Sequence, residues 1–370
     1  MKYKPFFSTA CAFVITGFIL FVASDCNNSS NSSGGAGFSG ASSNDSANAT
    51  NGPIGVIEVY DSSGVAGVLD PTAEIKVIGR HYSWAEGPVW VPERGMLLFS
   101  DVKENKVFRY SGNIKDSPTV YLTPSGYTDT ALRDGENGSN GLALDNNGDL
   151  LLCQSGNRQV VKLKGPPGSD HATAQFTVLA AKFKGKRFNS PNDLVVDKHN
   201  NIYFTDPIYG LPKRAEDPTR ELPFEGVYKI DASGKLMLLI DSISRPNGIA
   251  LSPDEKILYV GSSDDLHPRW YAYHLDGQGN IIGGSVFFDA TSLKEKATVK
   301  QGADGFKVDN AGNIFASGPD GVNIISPAGK LLALIKVYKR PTSNCAFNKT
   351  KDTLYITADD LVLMVHIGQK

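Results

Sequence analysis

The chain has 370 residues, with 37 Lys and Arg against 39 Asp and Glu, a formal charge of −2. Near-neutral charge without a basic run argues against nucleic acid as a partner. Four cysteines with no CxxC, no HExxH and no Walker loop turn attention away from dithiol, zincin and P-loop chemistry. At the N-terminus, "MKYK" carries two lysines and "PFFSTACAFVITGFILFVAS" is an uncharged apolar run. Residues 1–25 are therefore expected to be an export signal, placing the protein in the periplasm or at the cell surface. The run is also long enough to span a bilayer unprocessed. Cys26 follows "FVASD" in an imperfect lipoprotein box, since Asp25 stands where a small residue is usual. Lipid attachment at Cys26 and an uncleaved anchor both remain open, and the membrane is contacted through this end alone.

Residues 26–52 are almost entirely Asn, Ser, Gly and Ala. Such a composition cannot bury enough apolar surface to offset ordering entropy and predicts a tether, with a reach of roughly 30 Å. It contains Gly35-Ala-Gly37-Phe-Ser-Gly40, a dinucleotide-type fingerprint that follows no strand and opens no helix, so it carries no weight. Residues 53–370 remain for one large all-β domain, expected to be a monomer. Cys153 ("LLLCQ") and Cys345 ("NCAF") lie in apolar contexts that suit buried packing, with a disulfide between them left open.

The domain is repetitive. Six segments share a polar or acidic start, an apolar strand, a polar turn and a second strand: "AEGPVWVPERGMLLFSD", "SNGLALDNNGDLLLCQS", "PNDLVVDKHNNIYFTDP", "PNGIALSPDEKILYVGS", "ADGFKVDNAGNIFASGP" and "SNCAFNKTKDTLYITAD". Their in-phase residues are Glu86, Asn140, Asn192, Asn247, Asp304 and Asn344, separated by 54, 52, 55, 57 and 40 residues. Further β-type runs follow in most units, and "SLKEKATV" is the only stretch with helical character. A 40–57-residue repeat holding about four short strands predicts a six-bladed β-propeller. The segment "IGVIEVYDSSGV" is expected to close the ring by adding a strand to the last blade.

Innermost propeller strands all run the same way, so residues at one phase gather at one end of the axis. A single Asn or Asp there is ordinarily a turn or strand cap. Six in phase, two of them carboxylates, predict an oxygen-rich axial ring that suits a hard divalent cation, Ca2+ first and then Mg2+ or Mn2+. Zn2+ is a weaker alternative, because no histidine falls at the keyed phase.

The motifs "WAEGPVW", "KRFNSPNDLVVD", "TDPIYGL", "RPNGIALSPDEKILYV" and "DGFKVDNAGNIF" together resemble the gluconolactonase and senescence-marker-protein (regucalcin) family. The resemblance spans about residues 84–357. It implies a six-bladed propeller with an axial divalent metal and lactone-hydrolase activity. It also implies Glu86, Asn247 and Asp304 as metal ligands, with Asn192 at a position that binds substrate in some members and metal in related propellers. One departure concerns the substrate. Close bacterial members often read Cys-Glu-His-Gly where this chain has Cys153-Gln154-Ser155-Gly156.

The expected chemistry is metal-assisted hydrolysis of a small-molecule lactone, with Asp304 as the general base and Asp193 as its alternative. Arg187, Asn189, Asn192 and Asn140 are the candidate substrate contacts. The polar segments 125–138 and 208–226 are expected to form the rim. Two rival readings use the same ring, a non-catalytic binding propeller and a phosphotriesterase.

Overall fold

The computed structural model describes residues 52–168 and 170–368. The expected export signal, Cys26 and the tether before Gly52 lie outside those residues. Among the described residues no helix is long and apolar enough to cross a membrane.

Six antiparallel sheets, each of four strands or more, form the blades. Their innermost strands, or the residues leading into them, carry the repeat phase read from the sequence: Ala85–Val91, Ser139–Leu144, Leu194–Val196, Pro246–Leu251, Phe306–Val308 and Asn344–Phe347. The turns explain the recurring Asp-x-x-Gly/Asn pattern, as in Asp145–Gly148, Asp197–Asn200 and Asp309–Gly312. In blade two, Asp145 accepts from the backbone N–H of Asn147 and of Asp149 at 2.9 and 3.0 Å. Asp197 and Asp309 cap the equivalent turns in the same way. Each such carboxylate pins a turn locally, as short acceptor side chains do.

Blades join through apolar packing and through hydroxyls of one blade that donate to carbonyls of the next. Ser100 donates to Asn140 O at 2.9 Å, Thr205 to Asn247 O at 2.7 Å and Ser343 to Ala85 O at 2.6 Å. These bonds sit at the keyed phase, so they fix the ring residues by their backbones. Glycine permits the close approach. Gly87 has φ of 55°, and a Cβ there would lie 2.1 Å from Asn140 O. At Gly305 a Cβ would meet the Asn344 side chain at 2.0 Å.

Ring closure differs from expectation. Gly55–Val59 pairs with Leu331–Val337 as a fifth, outer strand of blade five. The strand that completes blade six is Ile75–Arg80, paired with Leu361–His366. Chain length explains the correction, because only residues 81–84 separate Arg80 from the first inner strand, within reach of the neighbouring blade. Asp61 anchors the earlier segment by capping the turn Ser62–Val65 and pairing with Lys330 at 2.5 Å. Cys153 and Cys345 are buried, with no disulfide between them or to any other described residue.

Candidate functional site

At the end of the axis where the keyed residues gather lies a cavity of about 460 Å³. Its lining includes Glu86, Asn140, Asn192, Asn247 and Asp304, five of the six ring residues. Glu86 Oε1 accepts from Gly87 N–H at 2.8 Å and Asp304 Oδ1 from Gly305 N–H at 3.1 Å. Asn247 commits its amide nitrogen to Ser263 Oγ at 3.1 Å, which leaves its Oδ1 as the remaining acceptor. The Asn192 side chain makes no protein hydrogen bond among the described residues, and its backbone N–H is held by Thr205 O at 2.9 Å.

The two carboxyls share a poor environment for charge. Burial, more than any neighbour, pushes the proton affinity of Glu86 up, and the charge of Asp193 adds to it. Asp304 is pushed up by burial and then by Glu86, Asp193 and Glu136 in turn. Like charges with little solvent disfavour joint ionisation unless a cation neutralises them. An oxygen-only donor set of two carboxylates and two amides fits a hard dication and does not favour zinc. Among the described residues there is no cluster of three or more His, Cys, Asp or Glu able to hold a metal, so the amides would have to complete the set.

Several expectations change here. Asn344, though in phase, lies deeper in the channel. Its Oδ1 accepts from Lys307 Nζ at 3.1 Å and its Nδ2 faces Asp193 Oδ2 at 3.4 Å. Asp193 thus points into the channel beneath the cavity and not into it, which removes it as the alternative base. Arg187 is exposed on the small hairpin Lys182–Phe183 with Lys186–Arg187, and its backbone N–H binds Glu221. It does not line the cavity. Asn189 is fully buried, donating to Asp206 O at 3.2 Å and to Phe224 O at 2.9 Å. Both are corrections to the candidate substrate contacts. Of residues 186–192, Asn192 alone lines the cavity. Gln154 and Ser155, at the departure from the family's motif, are also buried away from the cavity, donating to Ser125 O and Pro191 O.

The rim segments do border the cavity, through side chains not singled out beforehand. Segment 125–138 supplies Glu136, and segment 208–226 supplies Tyr209 and Arg214. Arg133 ties the two segments together, donating to Glu136 O at 2.7 Å and also to Gly210 O. Arg158 holds the second segment through Thr219 O at 2.9 Å. Glu136 has one buried carboxylate oxygen without a hydrogen-bond partner among the described residues, and burial raises its proton affinity. The sequence signal available for these residues was their place in long polar loops, which says nothing of side-chain direction.

Fold and site together define a six-bladed propeller with an acidic, amide-ringed pocket on its axis. The family described as SMP-30/Gluconolactonase/LRE-like region matches residues 84–360, and the chain belongs to it. A gluconolactonase of Zymomonas mobilis is 38% identical over 301 residues, covering 80% of this chain and 82% of that protein. A lactonohydrolase of Aspergillus oryzae is 22% identical, covering 75% and 66%. Among solved structures, a gluconolactonase of Xanthomonas campestris superposes with a TM-score of 0.70 at 26% identity, covering 84% of this chain and 95% of that one. A calcium-binding regucalcin of Agrobacterium tumefaciens shares the fold, with a TM-score of 0.59 at 20% identity and coverage of 81% and 93%.

Proposed function

We propose that the protein is a divalent-cation-dependent lactone hydrolase of the gluconolactonase type. The observation that carries this reading is the pair of buried carboxyls, Glu86 and Asp304, that converge with Asn192 and Asn247 on one cavity floor. A bound Ca2+, or a similar hard cation held by these four side chains, would supply Lewis-acid polarisation of the lactone carbonyl, worth several kcal/mol.

The chain's own residues perform the rest. Asp304 accepts the proton of the attacking water at the carboxylate oxygen not tied to the Gly305 N–H, and returns it to the ring oxygen as the acyl C–O bond breaks and the ring opens. Asn192, which has no protein partner for its side chain among the described residues, can give its amide oxygen to the cation and donate from its amide nitrogen to the lactone oxygens. Asn140, beside Glu136, contacts the substrate from the next blade. Tyr209 and the rim segments narrow the mouth and limit bulk water around the reacting carbonyl.

A panel of γ- and δ-lactones, aryl esters and a phosphotriester tests this directly. Lactone turnover is expected to stop with chelator and return with added cation, and Asp304→Ala should lower kcat/KM by about 10³-fold or more. Turnover of the phosphotriester alone, or of nothing above the blank, overturns the reading.

A further inference from the structure

The cavity mouth is more basic than the chain as a whole. Against a total of 37 basic and 39 acidic residues, five basic and four acidic side chains line this cavity, and two of the acids, Glu86 and Asp304, belong to its floor. Arg245 is paired with Asp265, and Lys294 donates to the Asp265 carbonyl at 2.8 Å. The other three, Lys103, Arg214 and Lys300, form no close ion pair among the described residues, although Arg214 and Lys103 both lie near enough to the buried Glu136 carboxyl to favour its charge. Lys103 lies 5.9 Å from the Trp84 ring centroid and Arg214 lies 4.9 Å from that of Tyr209, and both rings line the cavity. Arg214 adopts a φ of 53°, in the left-handed region that residues other than glycine seldom occupy. The surrounding turn holds it there, with Lys213 N–H bound to Asp217 Oδ2 at 3.0 Å. Once a dication occupies the floor, Glu86 and Asp304 no longer offset these cations, and the five basic side chains outnumber the two remaining lining acids, Glu136 and Asp265, so the outer cavity attracts anions.

We propose that this mouth selects lactones bearing a second, anionic group, a phosphate or a carboxylate, on the side of the ring remote from the carbonyl. The proposal rests on the lactonase reading for the placement of the ring. The carbonyl lies over the cavity floor, and the remote group reaches Lys103, Arg214 and Lys300. Arg214 offers a planar fork to an oxyanion, while the two lysines act as point charges.

The test compares cation-loaded protein on glucono-δ-lactone, its 6-phosphate and glucaro-lactone, which carries a carboxylate at the far carbon. At low salt the anionic lactones should show kcat/KM at least about tenfold above the neutral one, and about 0.5 M NaCl should erode that ratio. The triple variant Lys103→Gln, Arg214→Gln, Lys300→Gln should bring the ratio close to one. Which anionic lactone leads distinguishes phosphate from carboxylate. Equal turnover of neutral and anionic lactones by the parent protein overturns the proposal, as does a ratio that the triple variant retains. If no lactone is hydrolysed, the lactonase reading fails and calorimetry judges the mouth separately. Gluconate 6-phosphate binding at least about tenfold tighter than gluconate, with the difference lost in the triple variant, supports an anion-selective mouth. Equal affinity for the two acids refutes it.

Discussion

The two ends of the axial channel differ although largely the same strands build them. Blades one, three, four and five supply residues to both mouths. At one end their polar leads converge as Glu86, Asn192, Asn247 and Asp304. At the other, a few residues further along, they present Val89, Val195, Val196, Leu251 and Val308, joined by Phe347 of blade six. The apolar mouth is the larger, about 740 Å³ against about 460 Å³. Size therefore does not pick out the reacting end. Convergent polar groups do, because buried carboxyls without a counter-charge are costly unless a ligand answers them. Between the mouths, Lys307, Asn344 and Asp193 form the hydrogen-bonded layer that separates them.

The largest expected effect falls on the acidic floor. Purified protein should bind about one hard divalent cation per chain by elemental analysis. Glu86→Gln combined with Asp304→Asn should abolish that occupancy, and full retention by the double variant would erase the distinction between the ends.

At the apolar end the same kind of damage should cost stability and spare the cation. Trp90 stacks on Tyr355 with ring centroids 5.5 Å apart. Trp90→Ala is expected to lower unfolding free energy by about 2–3 kcal/mol in denaturant titration while cation content stays at about one per chain. Loss of the cation in this variant would mean that the mouths are coupled.

The smallest effects sharpen the site's edge. Asn192→Ala should raise KM about tenfold, because an orienting contact is lost from substrate and transition state alike. Arg187→Ala, at an exposed hairpin off the cavity, should change KM by less than about twofold. A larger change for Arg187 than for Asn192 would move the substrate out of the axial cavity.

Much of this was legible without coordinates, for reasons particular elements make plain. The blade count followed from a repeat in which each unit carries its own strand alternation and its own Asp-capped turn, both local properties. The ring followed from phase, since equivalent positions in equivalent blades must gather at one end of an axis. Arg187 and Asn189 stand close to Asn192 in the chain, but neither lines the cavity, because nearness in sequence does not set side-chain direction. Asn189 instead spends its amide on Asp206 and Phe224, anchoring the segment that carries Tyr209 and Arg214.

By itself, then, the sequence determined the propeller, its six units and the oxygen-rich end, because each is written in short-range periodicity. Tertiary structure alone decided that Ile75–Arg80 and not Gly55–Val59 closes blade six. It also decided that Asp193 and Asn344 meet below the floor, and that Glu136 and Arg214 reach the mouth. These outcomes depend on contacts between residues far apart in the chain, such as Ile75 opposite Val365, and on which way loop side chains turn once neighbouring blades have packed. No local pattern encodes either.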